Sequence, residues 1–202
     1  MPPQRYSIEV QAHLPERLSG LNILANNLLY AWDRRIRRVF RHMDPVLWDA
    51  CGHNPKVFLR RISQQRLCDL LDDVNFMEEY EYALSVSSHY QDQTRRLHPK
   101  LAPLLNPTQD VIAYFCAEYG WHEAVALYSG GLGILAGDHT KAASDSGVPL
   151  VGVGLWYPEG YFHQRIEADG QQEAVYQRNS PYELPLHAVT DSKGNEVRVS
   201  VA

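Results

Sequence analysis

The sequence predicts an α-then-α/β chain: a helical bundle over residues 1–108, followed over 109–202 by a region built on a parallel βαβ unit. Three observations predict it. Apolar residues recur at three- and four-residue steps through the first hundred positions. Short runs of strand-forming residues replace that period after residue 109. Glycine and charge shift at the same place. Gly20 and Gly52 alone precede Gly120, and the formal charge is +2 over residues 1–108 against −7 over 109–202. Pro103 and Pro107 interrupt any helix there and mark the boundary.

Leu14, Leu18, Leu21, Leu24, Ala25, Leu28 and Leu29 fall on one helical face, with Pro15 in the first turn. Asp33-Arg34-Arg35 ends that stripe. A second helix carries Ile36, Val39 and Phe40 inward and leaves Arg35, Arg37, Arg38 and Arg41 outward. Asp44-Pro45 and Asn54-Pro55 each read as an N-cap followed by proline at the first helical position. A long helix from about Asp73 to Leu97 aligns Phe76, Tyr80, Ala83, Leu84, Ser87 and Tyr90.

In the second part, Asp110 to Ala117 reads as a buried strand of a parallel sheet. Ser129-Gly130-Gly131-Leu132-Gly133 leads into a helix over Ile134 to Ser146, closed by Gly147. Val148 to Leu155 is a second buried strand, which completes a βαβ unit. Four shorter strands follow over 160–166, 171–176, 183–189 and 196–201, with a turn at Asp191 to Asn195.

Composition bounds the function. The chain has 202 residues, 45% of them hydrophobic and 21% charged, which is the ordinary globular range. A net charge of −5 speaks against a general nucleic-acid binder. No apolar run approaches the roughly 18–20 residues that span a bilayer. The start, Met1-Pro2-Pro3-Gln4-Arg5-Tyr6, has no apolar leader. Cys51, Cys68 and Cys116 form no CxxC pair and read as reduced thiols of a cytoplasmic protein.

The sharpest local feature is the glycine run at 129–133. Glycines let the backbone approach a bound group, and free N–H groups at a helix start favour an anion. The run predicts a phosphate or phosphosugar near Gly130 and Gly131; a plain strand-to-helix turn is the equal alternative. Glu118 stands at the carboxyl end of the first strand, where open α/β sheets bind ligands. It either orients a sugar hydroxyl or shares a proton with a phosphate, or it caps a loop N–H. His122-Glu123 reads as two solvated or structurally hydrogen-bonded loop residues rather than an acid/base couple, since adjacent side chains rarely face each other. Asp138-His139 lacks a ligand partner four residues away, so no metal is expected. Lys141 reads as a solvated helix lysine. Trp156, Tyr157, Tyr161 and Phe162 either stack on sugar or pack in a core or interface, and packing is the commoner use. The arginines from Arg34 to Arg41 read as a solvated face or an inter-domain contact.

Ala113 to Gly120, His122-Glu123 and Tyr128 to His139 together closely resemble the amino-terminal part of bacterial α-glucan (glycogen/maltodextrin) phosphorylases. The likeness continues through Lys141 to Asp145, Gly147 to Leu155 and Gly160 to Gln164. Leu14-Pro15, Leu24 to Leu28, Trp32, Leu47-Trp48 and Gly52 to Pro55 resemble the helical domain preceding the catalytic part in one branch of that family. The resemblance implies a GT-B enzyme: two Rossmann-like domains facing a cleft, of which this chain holds an incomplete N-terminal one with a β-rich extension. It implies a pyridoxal phosphate enzyme that cleaves α-1,4-glucan with phosphate to glucose 1-phosphate. It places Gly130 and Gly131 against the phosphates, the Leu132 backbone against the glucosyl unit, and Glu118 in the catalytic pocket. The family's cofactor-binding lysine lies in the second domain and no lysine here matches it. The chain alone is therefore expected to hold no cofactor and to be inactive. Homo-oligomers are compatible with the resemblance. Two alternatives stand: a glycogen or starch synthase-like glucosyltransferase, and a non-catalytic module that binds glucan or a partner. Against the first, Tyr128-Ser129 stands where synthases carry a lysine.

Overall fold

The computed structural model describes residues 10–176 and 178–199. Most of the ordered structure is helical, with two small sheets.

Six helices build the first part: α1 (Gly20–Ala25), α2 (Arg34–Met43), α3 (Pro45–Ala50), α4 (Pro55–Arg61), α5 (Gln64–Leu71) and α6 (Val74–Thr94). Local chemistry explains most of the starts. Asp33, Asp44, Asn54, Ser63 and Asp73 each accept a hydrogen bond from a first-turn N–H, at 2.8 to 3.1 Å. Each such cap is worth about 1 kcal/mol. The Ser63 cap opens α5, a helix the apolar stripes alone do not single out.

The single helix expected from Leu14 to Leu29 is instead α1 flanked by 3-10 turns at Glu16–Leu18 and Leu28–Ala31. The Asn27 side chain accepts from Leu29 N at 2.9 Å and starts a new turn. A short amide side chain competes with the backbone ladder and divides the run. The apolar face survives: Leu18, Leu21, Leu24 and Leu29 are all buried. They join Ile36, Val39, Phe40, Phe58, Leu67 and Phe76 in one core. Gly20 lets α1 touch α6, since a Cβ there would lie 2.6 Å from the Tyr80 hydroxyl.

Residues 95–111 pass as turns from α6 to β1 (Ile112–Phe115). The helix α7 (Gly131–Asp145) then leads to β2 (Leu150–Val153). β1 and β2 pair in parallel, with Ile112 opposite Leu150 and Phe115 opposite Val153. Gly147 closes α7 at φ +65, in the left-handed region that favours glycine. The two strands are not buried as expected. Phe115 is 73% exposed and Val151 52%. A two-stranded ladder with one helix has too few layers to cover both its faces.

β3 (His163–Ile166) and β4 (Gln172–Val175) form an antiparallel pair. The strand expected over 183–189 is absent. A 3-10 turn at Pro181–Glu183 precedes a chain whose carbonyls are taken by the helices instead of a sheet. Asn54 Nδ2 donates to Glu183 O at 2.9 Å and Lys56 Nζ to Leu184 O at 2.9 Å. Of the last expected strand only a Thr190–Glu196 bridge forms around the Asp191 to Asn195 turn. Its end at 200–201 lies outside the described residues.

The two parts touch through named pairs. Trp32 Nε1 donates to Asp145 at 3.3 Å, and the Tyr90 hydroxyl reaches Asp145 at 2.7 Å and Ser144 at 2.8 Å.

Candidate functional site: the glycine loop at the start of α7

The loop after β1 folds back on α7, and glycines decide how closely. A Cβ on Gly137 would lie 2.2 Å from Gly120 O, and one on Gly133 2.4 Å from Tyr128 Cβ. Gly120 itself lies against the Gly133 carbonyl, to which its N–H donates at 2.7 Å. These three glycines are demanded by packing. Gly130 and Gly131 are different. A Cβ at either would meet nothing within 4 Å, and neither has a positive φ. The fold does not require glycine there.

Gly130 is the N-cap of α7 and offers no side chain to its first turn. N–H groups in that turn, Gly131 and Leu132 among them, have no intrahelical acceptor. The helix dipole adds positive potential at the same end. The Leu132 side chain is exposed.

Glu118 is drawn into this loop. Its carboxylate accepts from the Ser129 hydroxyl at 2.9 Å and from Ser129 N at 3.3 Å. The Ser129 hydroxyl, then the amides of Ser129, Gly130 and Gly133, hold its carboxyl below the usual range. At neutral pH Glu118 is an anion and answers part of the loop's positive potential from within the chain. The loop cap read from sequence is formed.

A cleft of about 700 Å³ opens beside Tyr128 and Ser129. Tyr161 and Phe162 line it, together with Arg178, Asn179 and Arg61 of α4. The packed aromatic cluster expected at 156–162 is not what forms. Tyr161 is 58% exposed and meets Phe162 ring to ring at 4.8 Å. Phe162 is half-buried and also meets Tyr176 at 6.0 Å, so these rings form a small surface group beside the cleft.

His122 and Glu123 do not pair with each other. His122 packs edge-on to Tyr30 at 5.1 Å, and its Nδ1 lies 3.1 Å from the Ala124 N–H. Burial pushes its pKa down to about 4, so it is neutral near pH 7. Glu123 instead hydrogen-bonds His53 Nδ1, whose Nε2 reaches Asp49 at 3.0 Å. Glu123 chiefly raises the His53 pKa. Among the described residues His53 is the non-glycine residue with positive φ, at 55°, and its ring is bonded to both carboxylates. Sequence order hides this link because 70 residues separate His53 from Glu123. The cap that Glu118 forms was read from the sequence, but not that Ser129 is the residue it caps.

Among the described residues no cluster of three or more His, Cys, Asp or Glu is placed to hold a metal. No described helix is long and apolar enough to cross a membrane.

Comparison with known proteins fixes the family. The family described as "Protein of unknown function (DUF3417)" matches residues 14–125, more than half of the chain. The chain belongs to it. The resemblance read from the motifs is borne out as well. The chain is 44% identical over 200 residues to a glycogen phosphorylase of Mycobacterium tuberculosis, covering 96% of this chain and 23% of that protein. It is 37% identical over 193 residues to a maltodextrin phosphorylase of Thermococcus litoralis, and 36% over 182 residues to a glycogen phosphorylase of Aquifex aeolicus. It spans about a quarter of the length of these relatives. No solved structure matches it.

Proposed function

We propose that this DUF3417 chain forms the glycine-loop wall of an α-glucan phosphorylase centre, where α-1,4-glucan and phosphate give glucose 1-phosphate. One observation carries the reading. Gly130 and Gly131 stand at the open start of a fifteen-residue helix as glycines that the fold itself does not need. Glycine there makes sense when a ligand approaches the backbone. The names of the relatives then say which ligand to test first.

In this reading 1–108 is a helical domain and 109–202 part of a GT-B amino-terminal domain. The loop at Gly130 and Gly131 brings its backbone N–H groups to phosphate oxygens, the Leu132 backbone meets the glucosyl unit, and the cleft beside Tyr128 admits the glucan. Glu118 holds the loop in shape and yields or shares its amides when phosphate arrives. Two anions cannot both occupy one set of N–H groups at full charge, so a proton lies between them in the complex.

Pyridoxal phosphate in the complete enzyme would bring a further phosphate and its proton. The residues present do not make its attachment site: no lysine lines the loop cleft among the described residues, and Lys56 is bound to Leu184 O. No step is therefore assigned to it here. The 202-residue chain is expected to release no glucose 1-phosphate from maltooligosaccharide and phosphate. A chain extended to the length of the relatives is expected to do so, and Gly131→Val in it should lower turnover about a hundredfold without loss of folding. Use of a nucleotide sugar by the extended chain would instead support a synthase-like transferase.

One observation favours a second reading, a glucan-binding module. Tyr161 presents an exposed ring, with half-buried Phe162 next to it, beside a loop already answered by Glu118. Maltooligosaccharide binding lost in Tyr161→Ala and unchanged by phosphate would select it.

A further inference from the structure

The helical part carries a second cleft, of about 580 Å³, that the reaction above does not use. Arg34, Arg37, Arg38 and Arg41 of α2 line it together with Trp48 and His53. Their spacing puts all four arginines on one side of the helix. Arg38 is paired with Glu79. Arg34, Arg37 and Arg41 make no ion pair among the described residues. Two carboxylates, Asp49 and Glu123, also border the cleft, but both are bound to His53. They do not answer the guanidinium groups.

The arrangement works against the helix that carries it. Arg34 and Arg38, and Arg37 and Arg41, are like charges four residues apart, which destabilises a helix. Arg34 also opens the helix, where the dipole disfavours a cation. An anion held between these side chains removes both penalties. The ligand chemistry follows from the groups. Guanidinium forks match phosphoryl oxygens two at a time. Several unpaired forks in one concavity suit more than one phosphoryl group. The volume is that of a small-molecule site. Nucleic acid is disfavoured, because the chain as a whole carries −5.

We propose that the α2 arginine cleft binds a small molecule bearing two or more phosphoryl groups. This does not depend on the phosphorylase reading. Inorganic pyrophosphate is the probe, titrated calorimetrically into the full chain at low salt. One binding event is expected, weakening as salt is added. Arg34→Gln/Arg41→Gln, both at exposed positions, should weaken it about tenfold or more. Arg41→Lys, which keeps the charge and loses the fork, should weaken it less. Gly131→Val should leave it unchanged, which separates this cleft from the glycine loop. Circular dichroism of each variant checks that it remains folded. Absence of binding at millimolar pyrophosphate would overturn the proposal. So would equal affinity in the double variant, a matching loss in Gly131→Val, or tighter binding of hexaglutamate than of pyrophosphate.

Discussion

The two parts of the chain use the same apolar residue types and reach opposite ends. In the bundle, Leu21, Phe40 and Phe58 are fully buried. In the parallel ladder, Phe115 and Val151 stand in solvent. The bundle closes on itself because its helices can each turn an apolar stripe to a common centre. A strand buried on both faces needs a layer on each. β1 and β2 have α7 and the loop through Tyr119 on one side; a Cβ on Gly152 would lie 3.3 Å from that tyrosine ring. The lesson is that an apolar run records the burial a segment is built for, whereas burial itself depends on which layers are present.

Core truncation is the strongest way to break that comparison. Phe40→Ala should cost about 3–5 kcal/mol of unfolding free energy, because it empties a site between Trp48 and Phe58. Phe115→Ala should cost less than about 1 kcal/mol, because the ring already faces water. Urea unfolding of both variants reads the difference, and equal losses would show that the ladder is covered in solution.

A similar contrast holds within the glycine run, with a smaller expected effect. Gly137→Ala drives a Cβ into the Gly120 carbonyl and should destabilise the α7 packing by about 2–3 kcal/mol. Gly131→Ala meets nothing and should be neutral or slightly stabilising, by up to about 1 kcal/mol. A marked destabilisation by Gly131→Ala would return that glycine to a structural role and remove the main support for the ligand site.

The smallest effect is in pH. His122 has a lowered pKa, so its contribution to stability is present above the ordinary histidine range and is lost as pH falls from about 6.5 toward 4. His53 has a raised pKa, so its contribution is present below the ordinary range and is lost as pH rises through the raised value. Imidazole NMR should show His53 titrating at higher pH than an exposed histidine, and His122 still neutral at pH 5. A His122 that titrates near 6.5 would mean that its contact with Tyr30 opens in solution.

Much of the local structure was legible. The Asp33, Asp44, Asn54 and Asp73 starts follow from short polar side chains that accept first-turn N–H groups, a matter of three or four residues. The βαβ order, the Gly147 stop and the Asp191 turn are equally local. The division of the first helix at Asn27 was in reach, since asparagine competes with the ladder, but six leucines and Ala25 in step outweighed it. The strand expected at 183–189 fails for a reason no local pattern holds. Its carbonyls found Asn54 and Lys56, about 130 positions away.

For the candidate site, sequence alone named Glu118 and the run Gly130, Gly131 and Leu132, and Glu118 reaches the loop before that run through Ser129. Sequence could not divide the glycines by duty. Whether a Cβ fits depends on which atoms lie within 4 Å, and Gly120, Tyr128 and Glu118 reach Gly133 and Gly137 only when the loop folds back. Tertiary structure likewise decided that Glu118 answers Ser129, that Glu123 answers His53, and that the α2 arginines border a cleft with their neighbouring carboxylates already engaged. Periodicity, caps and turns are short-range and are written in consecutive residues. Charge neutralisation and steric contact act through space, between residues that only the folded chain brings together.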